Sequence, residues 1–546
     1  MVYKSKVFYQ IYPRSFQDSN DDGIGDINGI ISRLDYLKEL GVDDIWLSPV
    51  YQSPNADFGY DISDYYSINP EYGTMADMEL LIKEASKRGI GIIMDLVMNH
   101  TSDQHPWFVQ SKQRNSPYRD YYIYKETKNG KRPNNWTSFF GGKAWSQTED
   151  GSYYLHLFAK HQPDLNLKNE NVVLEFIKII QFWLDKGIKG FRCDVVNVIY
   201  KESLENGKWR LVLKGLEHYH CTDGNHQILK RLRKEVFNPN NAITVGETVL
   251  VSIEQAEALL GKADKELDLV FAFEHMETDQ INNKWFRTKF KPNKFLNVIR
   301  KWQKQLSWNT IYFENHDQPR SISRFGSEIY HQESGKMLSV LLLTLKGTPF
   351  IYQGQEIGML NVDYQSIDDY QDVETKNIWA LSKKLHFPTW YRKKMIKNSS
   401  RDNARSPMQW DESNGFSNAK PWLAINQNKQ KVNLKQQQND PNSIYAFYKS
   451  LIAYRKTSEA LKQGEIKFLF QKRGVVVYER LSDHEKVLVL VNMTNKYRKI
   501  KNIPNGRVVF NNYETLANKM MPYQAVIIEK DTSNLKASTQ SILKDW

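Results

Sequence analysis

The feature that most limits what this chain can fold into is a series of short apolar runs, each followed by a helical pattern. The runs are Val7–Tyr12, Asp44–Val50, Gly91–Val97, Gly190–Val196, Ile243–Glu247, Leu267–Phe273, Thr310–Glu314 and Pro349–Gln353. Eight candidate strands in α/β alternation are the count of a (β/α)8 TIM barrel. The long stretch between Val97 and Gly190, rich in Asn, Tyr, Trp and Gly, reads as a subdomain inserted after the third strand. A smaller expansion, Lys201–His226, follows the fourth. Beyond about residue 466 the helical pattern gives way to Val475–Tyr478, Val487–Leu490, Val508–Phe510 and Ala525–Ile528. These read as a C-terminal antiparallel β-sandwich. With 546 residues the chain exceeds what one core can hold. The expected division is barrel over 1–100 and 171–465, insertion over 101–170 and terminal β-domain over 466–546.

Charge and cysteine usage bound the partners. Lys and Arg exceed Asp and Glu by 75 to 63, a net +12. The cations are scattered, however, and Arg392-Lys393-Lys394 is the nearest thing to a run. This reads as a solvated basic surface rather than a nucleic-acid site, and it leaves an anionic sugar such as a phosphorylated disaccharide open as substrate. No stretch approaches the ~20 apolar residues of a membrane helix. Met1–Lys6 leads straight into the first strand without a signal-peptide core. Two cysteines, Cys193 and Cys221, make no disulfide framework. The expectation is a cytoplasmic monomer with no membrane or nucleic-acid partner. Aromatic residues make up 13%, which suits sugar stacking and a well-filled core equally.

In a (β/α)8 barrel, catalytic groups sit where strands end. The third run ends Asp95-Leu-Val-Met-Asn99-His100, the fourth Gly190-Phe-Arg192-Cys-Asp194-Val195, the fifth Val245-Gly-Glu247 and the seventh Phe313-Glu-Asn315-His316-Asp317. Any one alone has a plain structural account, as a helix cap or a satisfied polar pair. Together they bring three acids, two histidines and an arginine to one rim. Cleaving a glycosidic bond with retention requires one ionised carboxylate to attack the anomeric carbon and a second, protonated, to serve the leaving oxygen and then water. Arg192 and Asp194 alternate onto the same face. The cation is expected to keep Asp194 ionised while neighbouring carboxylates raise Glu247.

These segments resemble the four motifs of the α-amylase superfamily (glycoside hydrolase family 13), in order and across nearly the whole chain. The resemblance implies Asp194 as nucleophile, Glu247 as acid/base and Asp317 as transition-state stabiliser. It places Arg192, His100 and His316 on sugar-contacting positions, with Phe140 and Gln162 among them. Gln162-Pro-Asp-Leu-Asn166 and Arg401-Asp-Asn-Ala-Arg405-Ser-Pro-Met-Gln-Trp410 resemble the oligo-1,6-glucosidase, dextran glucosidase and trehalose-6-phosphate hydrolase branch. Asp57-Phe-Gly-Tyr60-Asp61 resembles the segment lining the −1 subsite. There Asp57 is implied to pair with Arg401 and close the pocket, with Tyr60 stacked on the glucose, giving exo action. Val195, after the nucleophile, resembles α-1,6-preferring enzymes, a packing preference of roughly 1–3 kcal/mol. The expected substrate is therefore isomaltose or a short isomalto-oligosaccharide. Trehalose-6-phosphate hydrolysis, α-1,4-glucosidase activity and sucrose chemistry are the alternatives. Thr248–Leu250 and Glu202–His226, with Trp209, His218, Tyr219 and His220, depart from the branch pattern and leave the leaving group open.

Asp18-Ser-Asn20-Asp-Asp22-Gly23-Ile24-Gly-Asp26 spaces side-chain oxygens at alternate positions, with the Ile24 carbonyl between them. The bidentate Glu of an EF-hand is missing. Relatives of the branch carry calcium at matching residues, so the resemblance implies structural Ca2+ held by Asp18, Asn20, Asp22, Ile24 and Asp26.

Overall fold

The computed structural model describes residues 2–127, 130–261, 264–413, 415–499, 505–516 and 518–530. The last part of the predicted terminal domain lies outside the described residues. Eight parallel strands form one sheet: β1 Phe8–Ile11, β2 Asp44–Leu47, β3 Gly91–Leu96, β4 Gly190–Cys193, β5 Ile243–Glu247, β6 Leu269–Phe271, β7 Thr310–Ile311 and β8 Thr348–Tyr352. Their order is β6-β5-β4-β3-β2-β1-β8-β7, the consecutive neighbours of a (β/α)8 barrel. Every strand predicted from an apolar run is present, but most are shorter. β4 stops at Cys193, so Asp194 opens the following turn, and β7 covers only Thr310–Ile311. Asp194 and Asp317 thus lie beyond the ladder, while Glu247 is the last residue of β5 and still pairs with Phe271.

Burial explains the register. β3, β4 and β5 are buried throughout or nearly so, as strands covered on both faces must be. The helix Glu170–Asp185 between β3 and β4 turns Val172, Val173, Phe176, Ile179, Ile180 and Trp183 inward at helical spacing, and Asn169 caps it. Met75–Lys87, between β2 and β3, starts on a Thr74/Asp77 capping box. Gly190 opens β4 at φ +153°, and a Cβ there would sit 1.9 Å from the Ile243 carbonyl oxygen. Only glycine allows β4 and β5 this close.

The chain divides into two compact units, Trp46–Phe273 and Met1–Ile45 with Glu274–Trp546. The first holds a three-stranded antiparallel sheet, Tyr124–Lys125, Tyr153–Leu155 and Trp145–Gln147, within the stretch read as an insertion. It also holds a hairpin, Tyr51–Gln52 with Asp64–Ile68, that no run announced. The second unit ends in an antiparallel sheet of β9 Glu465–Lys472, β10 Val475–Leu481, β11 Lys486–Asn492, β12 Arg507–Asn511 and β13 Ala525–Lys530, ordered β9-β10-β11-β13-β12. A two-stranded ribbon, Arg498–Lys499 with Lys519–Met520, accompanies it. Alternating residues Val475, Val477, Leu488, Leu490, Val526 and Ile528 form its core. Buried Arg480 bolts the sheet to the helix His331–Thr344 by donating to the Thr344 and Leu345 carbonyls at 2.7 and 3.0 Å. Among the described residues no helix is long and apolar enough to cross a membrane.

One buried acid in this unit ties stability to pH. Glu356 is fully buried; it accepts from Tyr9 Oη at 2.7 Å and from Tyr36 Oη, while its Oε2 has no hydrogen-bond partner. Burial pushes it up to about 7 against the pull of the two hydroxyls. A carboxyl raised in the folded state gives stability that is complete below its unfolded value and lost as pH rises through about 7. The loss is on the order of 3 kcal/mol. Glu356→Gln is therefore expected to match the parent's melting temperature near pH 5 and exceed it near pH 8. An equal difference at both pH values would mean that Glu356 does not titrate.

Candidate active site

In the Trp46–Phe273 unit the strand register gathers the acids around one arginine. Asp95 on β3 and Val245 on β5 are both in register with Arg192 on β4. Asp194 follows directly, its N–H bonded to the Leu96 carbonyl at 3.0 Å, and Glu247 ends β5. Arg192 Nη1 contacts Asp95 Oδ1 and Asp194 Oδ1, both at 2.6 Å, while Nη2 contacts Glu247 Oε2 at 2.7 Å. The guanidinium lies 5.0 Å from the Trp46 ring centroid and 5.8 Å from that of Tyr60. A rigid planar fork suits this task, because it holds two carboxylates side by side on separate nitrogens.

The electrostatics differ from the expectation that Arg192 simply keeps Asp194 ionised. Burial drives Asp194 well above the ordinary carboxylate range; Arg192 pulls it down, and the Glu247 and Asp95 charges push it back up. One cation is shared among three acids, and that is why its pull on Asp194 is not enough. Asp95, buried and also held by Trp46 Nε1 at 2.8 Å, is pushed up to about 6 by desolvation. Two carboxylates held side by side beside a fixed cation can run nucleophilic and acid/base steps in turn.

The sugar-side candidates of this unit pack next to one another. Burial, against the charge of Asp164, lowers His100 to about 4, so the ring is neutral. Its Nε2 is 3.1 Å from the Tyr60 carbonyl and 3.2 Å from Gln162 Nε2. Gln162 Nε2 also reaches Asp57 Oδ2 at 3.3 Å, and Tyr60 Oη lies 3.4 Å from Asp95 Oδ2. Phe140 and Val195 belong to one apolar cluster with Phe139, Phe158, Tyr219 and Val249. Val195 sits at φ +36°, unfavourable for a β-branched residue, and its N–H points at Glu247 Oε2 over 3.1 Å. Below His100, fully buried Lys201 donates to Asn99 Oδ1 and pairs with Asp164 Oδ2, both at 2.6 Å. That lysine pins the expansion after β4 to the turn after β3.

In the other unit, Asp317 is ringed by cations. Arg405 Nη2 contacts its Oδ1 at 2.8 Å, Arg401 Nη1 at 3.5 Å, and His316 Nε2 lies 3.4 Å from Oδ2. Burial would raise Asp317, but His316, Arg401, Arg405 and Lys284 overcome it and hold the carboxylate well below its ordinary range. His316 Nδ1 is fixed by Gln10 Nε2 at 2.8 Å. Arg401 is braced by Asp372 at 2.7 Å and Glu374 at 3.3 Å, and Lys284 also pairs with Glu374. Reading the sequence missed Arg405, Asp372, Glu374 and Lys201. Arg405 had a signal: it follows Arg401 by one helical turn (Asp402–Arg405), so both reach the same side.

The calcium candidates form a tight acidic loop. Asp18 accepts from the N–H groups of Asn20, Asp21 and Gly23 at 3.0, 2.8 and 2.8 Å, and Asp22 from Ile24 at 2.8 Å. Asp26 caps the helix Ile27–Ser32 through Gly29 N–H at 2.7 Å. Asp18 N–H bonds the Phe416 carbonyl and Trp422 N–H that of Gly23, so the loop is anchored at both ends. The donor set is all oxygen and the carboxylates keep free lone pairs, which fits a hard cation. Among the described residues no group of three or more His, Cys, Asp or Glu side chains is poised for a metal, so the Asn20 amide and Ile24 carbonyl are needed to complete a shell.

The sequence and the fold were compared with those of known proteins. A family described as "Alpha amylase, catalytic domain" matches residues 10–464. A protein of Parageobacillus thermoglucosidasius named oligo-1,6-glucosidase is 46% identical over 510 residues, covering 90% of this chain and 91% of its own. The crystal structure of Bacillus licheniformis trehalose-6-phosphate hydrolase superposes with a TM-score of 0.91 at 40% identity, over 96% of this chain and 99% of that one. Isomaltulose synthase from Klebsiella sp. LX3 gives 0.93 at 37% identity, over 97% and 99%.

Proposed function

The chain belongs to the α-amylase family of glycoside hydrolases, and from that premise we propose that it is a retaining, exo-acting α-glucosidase cleaving α-1,6 bonds at the non-reducing end of isomaltose and short isomalto-oligosaccharides. The observation that carries the chemistry is the Arg192 fork, with Asp194 and Glu247 on separate nitrogens. In this reading Asp194 attacks the anomeric carbon and Glu247 gives a proton to the leaving oxygen. Glu247 then takes a proton from the water that releases glucose. Asp317 stabilises the oxocarbenium-like transition state, Asp57 and Arg401 bind hydroxyls of the terminal glucose, and neutral His100 accepts or donates to another.

The linkage preference is supported by the 46%-identical relative named oligo-1,6-glucosidase and by the branched Val195 that follows Asp194. A second reading, hydrolysis of trehalose 6-phosphate, is favoured by the likeness to the Bacillus licheniformis enzyme and by the net charge of +12. Initial rates on isomaltose, panose, maltose, sucrose, kojibiose, nigerose and trehalose 6-phosphate decide between them. The expected result is the highest kcat/KM on isomaltose with glucose as sole product. Faster release of glucose 6-phosphate from trehalose 6-phosphate would replace the first reading with the second.

Calcium belongs to the same proposal. Asp18, Asn20, Asp22, Asp26 and the Ile24 carbonyl would hold Ca2+, which would neutralise the loop's acids and stiffen its anchors, with no part in glycosyl transfer. Chelation with EGTA is expected to lower the melting temperature and added CaCl2 to restore it, while Asp22→Ala no longer responds to either. An unchanged melting temperature in the parent would rule calcium out.

A further inference from the structure

The turns that carry Asp194 and Glu247 are stitched together by a residue with no place in the catalytic scheme. Asn197 is fully buried, and its side-chain amide pairs with the backbone of Val249. Nδ2 donates to the Val249 carbonyl at 2.8 Å, and Oδ1 accepts from the Val249 N–H at 3.0 Å. Nδ2 also reaches Cys221 Sγ at 3.4 Å, and the Asn197 carbonyl accepts from Cys221 N–H at 2.8 Å. His220 Nε2 lies 2.9 Å from the same Val249 carbonyl. Closer to the acids, Val196 N–H bonds the Glu247 carbonyl at 2.9 Å, and strained Val195 directs its N–H to Glu247 Oε2.

We propose that Asn197 is a positioning residue that sets the spacing of Asp194 against Glu247, an inference that rests on the roles assigned to those two acids above. Retention depends on that spacing, since the two carboxyls must stand about 5–5.5 Å apart. Arg192 fixes the tips of the two side chains, and Asn197 fixes the backbones from which they spring. The residue type follows from the partner. A peptide offers one donor and one acceptor, and a primary amide answers both, whereas a carboxylate would meet the Val249 carbonyl with repulsion. The stitch also accounts for Val195: a β-branched residue keeps φ +36° only where its neighbours over-determine it. The two stretches that depart from the branch pattern, Thr248–Leu250 and Glu202–His226, meet at this point through Val249, His220 and Cys221.

Asn197→Asp and Asn197→Ser test the proposal, by kcat/KM on isomaltose and on α-glucosyl fluoride. Fluoride leaves without a proton, so a Glu247 set at the wrong distance harms only the disaccharide. The expected loss is about 30–100-fold on isomaltose and less than about threefold on the fluoride, at a melting temperature near that of the parent. The acidic limb of the isomaltose profile moves to lower pH, because a more distant Glu247 raises Asp194 less. Equal losses on both substrates with an unmoved profile, or no loss, would overturn the proposal. Should Asn197→Asp fail to fold, Asn197→Ser carries the comparison. Mass analysis of the parent treated with 5-fluoro-α-glucosyl fluoride checks the underlying roles separately. An unlabelled Asp194 overturns those roles, while a labelled Asp194 with unaffected Asn197 variants overturns the stitch alone.

Discussion

Asp194→Asn is expected to lower kcat on isomaltose by about 10⁴-fold or more, with the fold intact. The amide keeps the shape of the carboxylate and can still accept from Arg192, whose charge stays balanced by Asp95 and Glu247. What disappears is the electron pair that forms the glycosyl–enzyme bond. No neighbour can supply it: Asp95 is fully buried and held by Arg192 and Trp46, and in the proposed mechanism Glu247 serves the leaving oxygen. The loss therefore falls on kcat and kcat/KM alike, the sign of an interaction made only as bonds change. Steady-state rates with a thermal melt of the same sample settle the point. Hydrolysis at the parent's rate would remove Asp194 from the mechanism.

The second large effect is that of Glu247→Gln, about 10²–10⁴-fold on isomaltose. Glutamine can keep the hydrogen bond from Val195 N–H, so the carboxamide stays in place. It cannot pass a proton to a sugar oxygen, and the deficit should grow as the leaving group becomes more basic. Across a series of aryl α-glucosides, log kcat/KM is expected to depend steeply on leaving-group pKa in the variant and weakly in the parent. Because Glu247 also raises Asp194, the variant's acidic limb should move to lower pH, the direction that follows from removing a like charge. A leaving-group dependence unchanged from the parent would mean that another group supplies the proton.

The barrel was legible because its strands are buried on both faces and so appear as unbroken apolar runs, and because the groups that end them are chemically conspicuous. Asp194, Glu247 and Asp317 stood out for that reason. Lys201 and Asn197 did not, since each looks like an ordinary loop residue until its partners arrive from far along the chain. Asn99, for example, lies 102 positions from Lys201. The left-handed backbone at Val195 runs against local preference, so no propensity could announce it. The pull of Arg192 on Asp194 was misjudged because adjacency in sequence shows one acid beside the cation, while the sheet brings three.

That three-way sharing bears on how such a chain can change over generations. Arg192 cannot drift to lysine: a single ammonium has no fork, and a buried acid left without its partner is a heavy penalty in any intermediate. Asp95, Asp194 and Glu247 are tied to the same constraint, so these four positions can only be inherited together. The apolar cluster of Val195, Val249, Tyr219 and the Phe139–Phe140 pair is held by packing instead, and its members can be exchanged one at a time at the scale of packing energies. Change is therefore open in small steps within the apolar cluster, while the four positions joined through the arginine stay fixed.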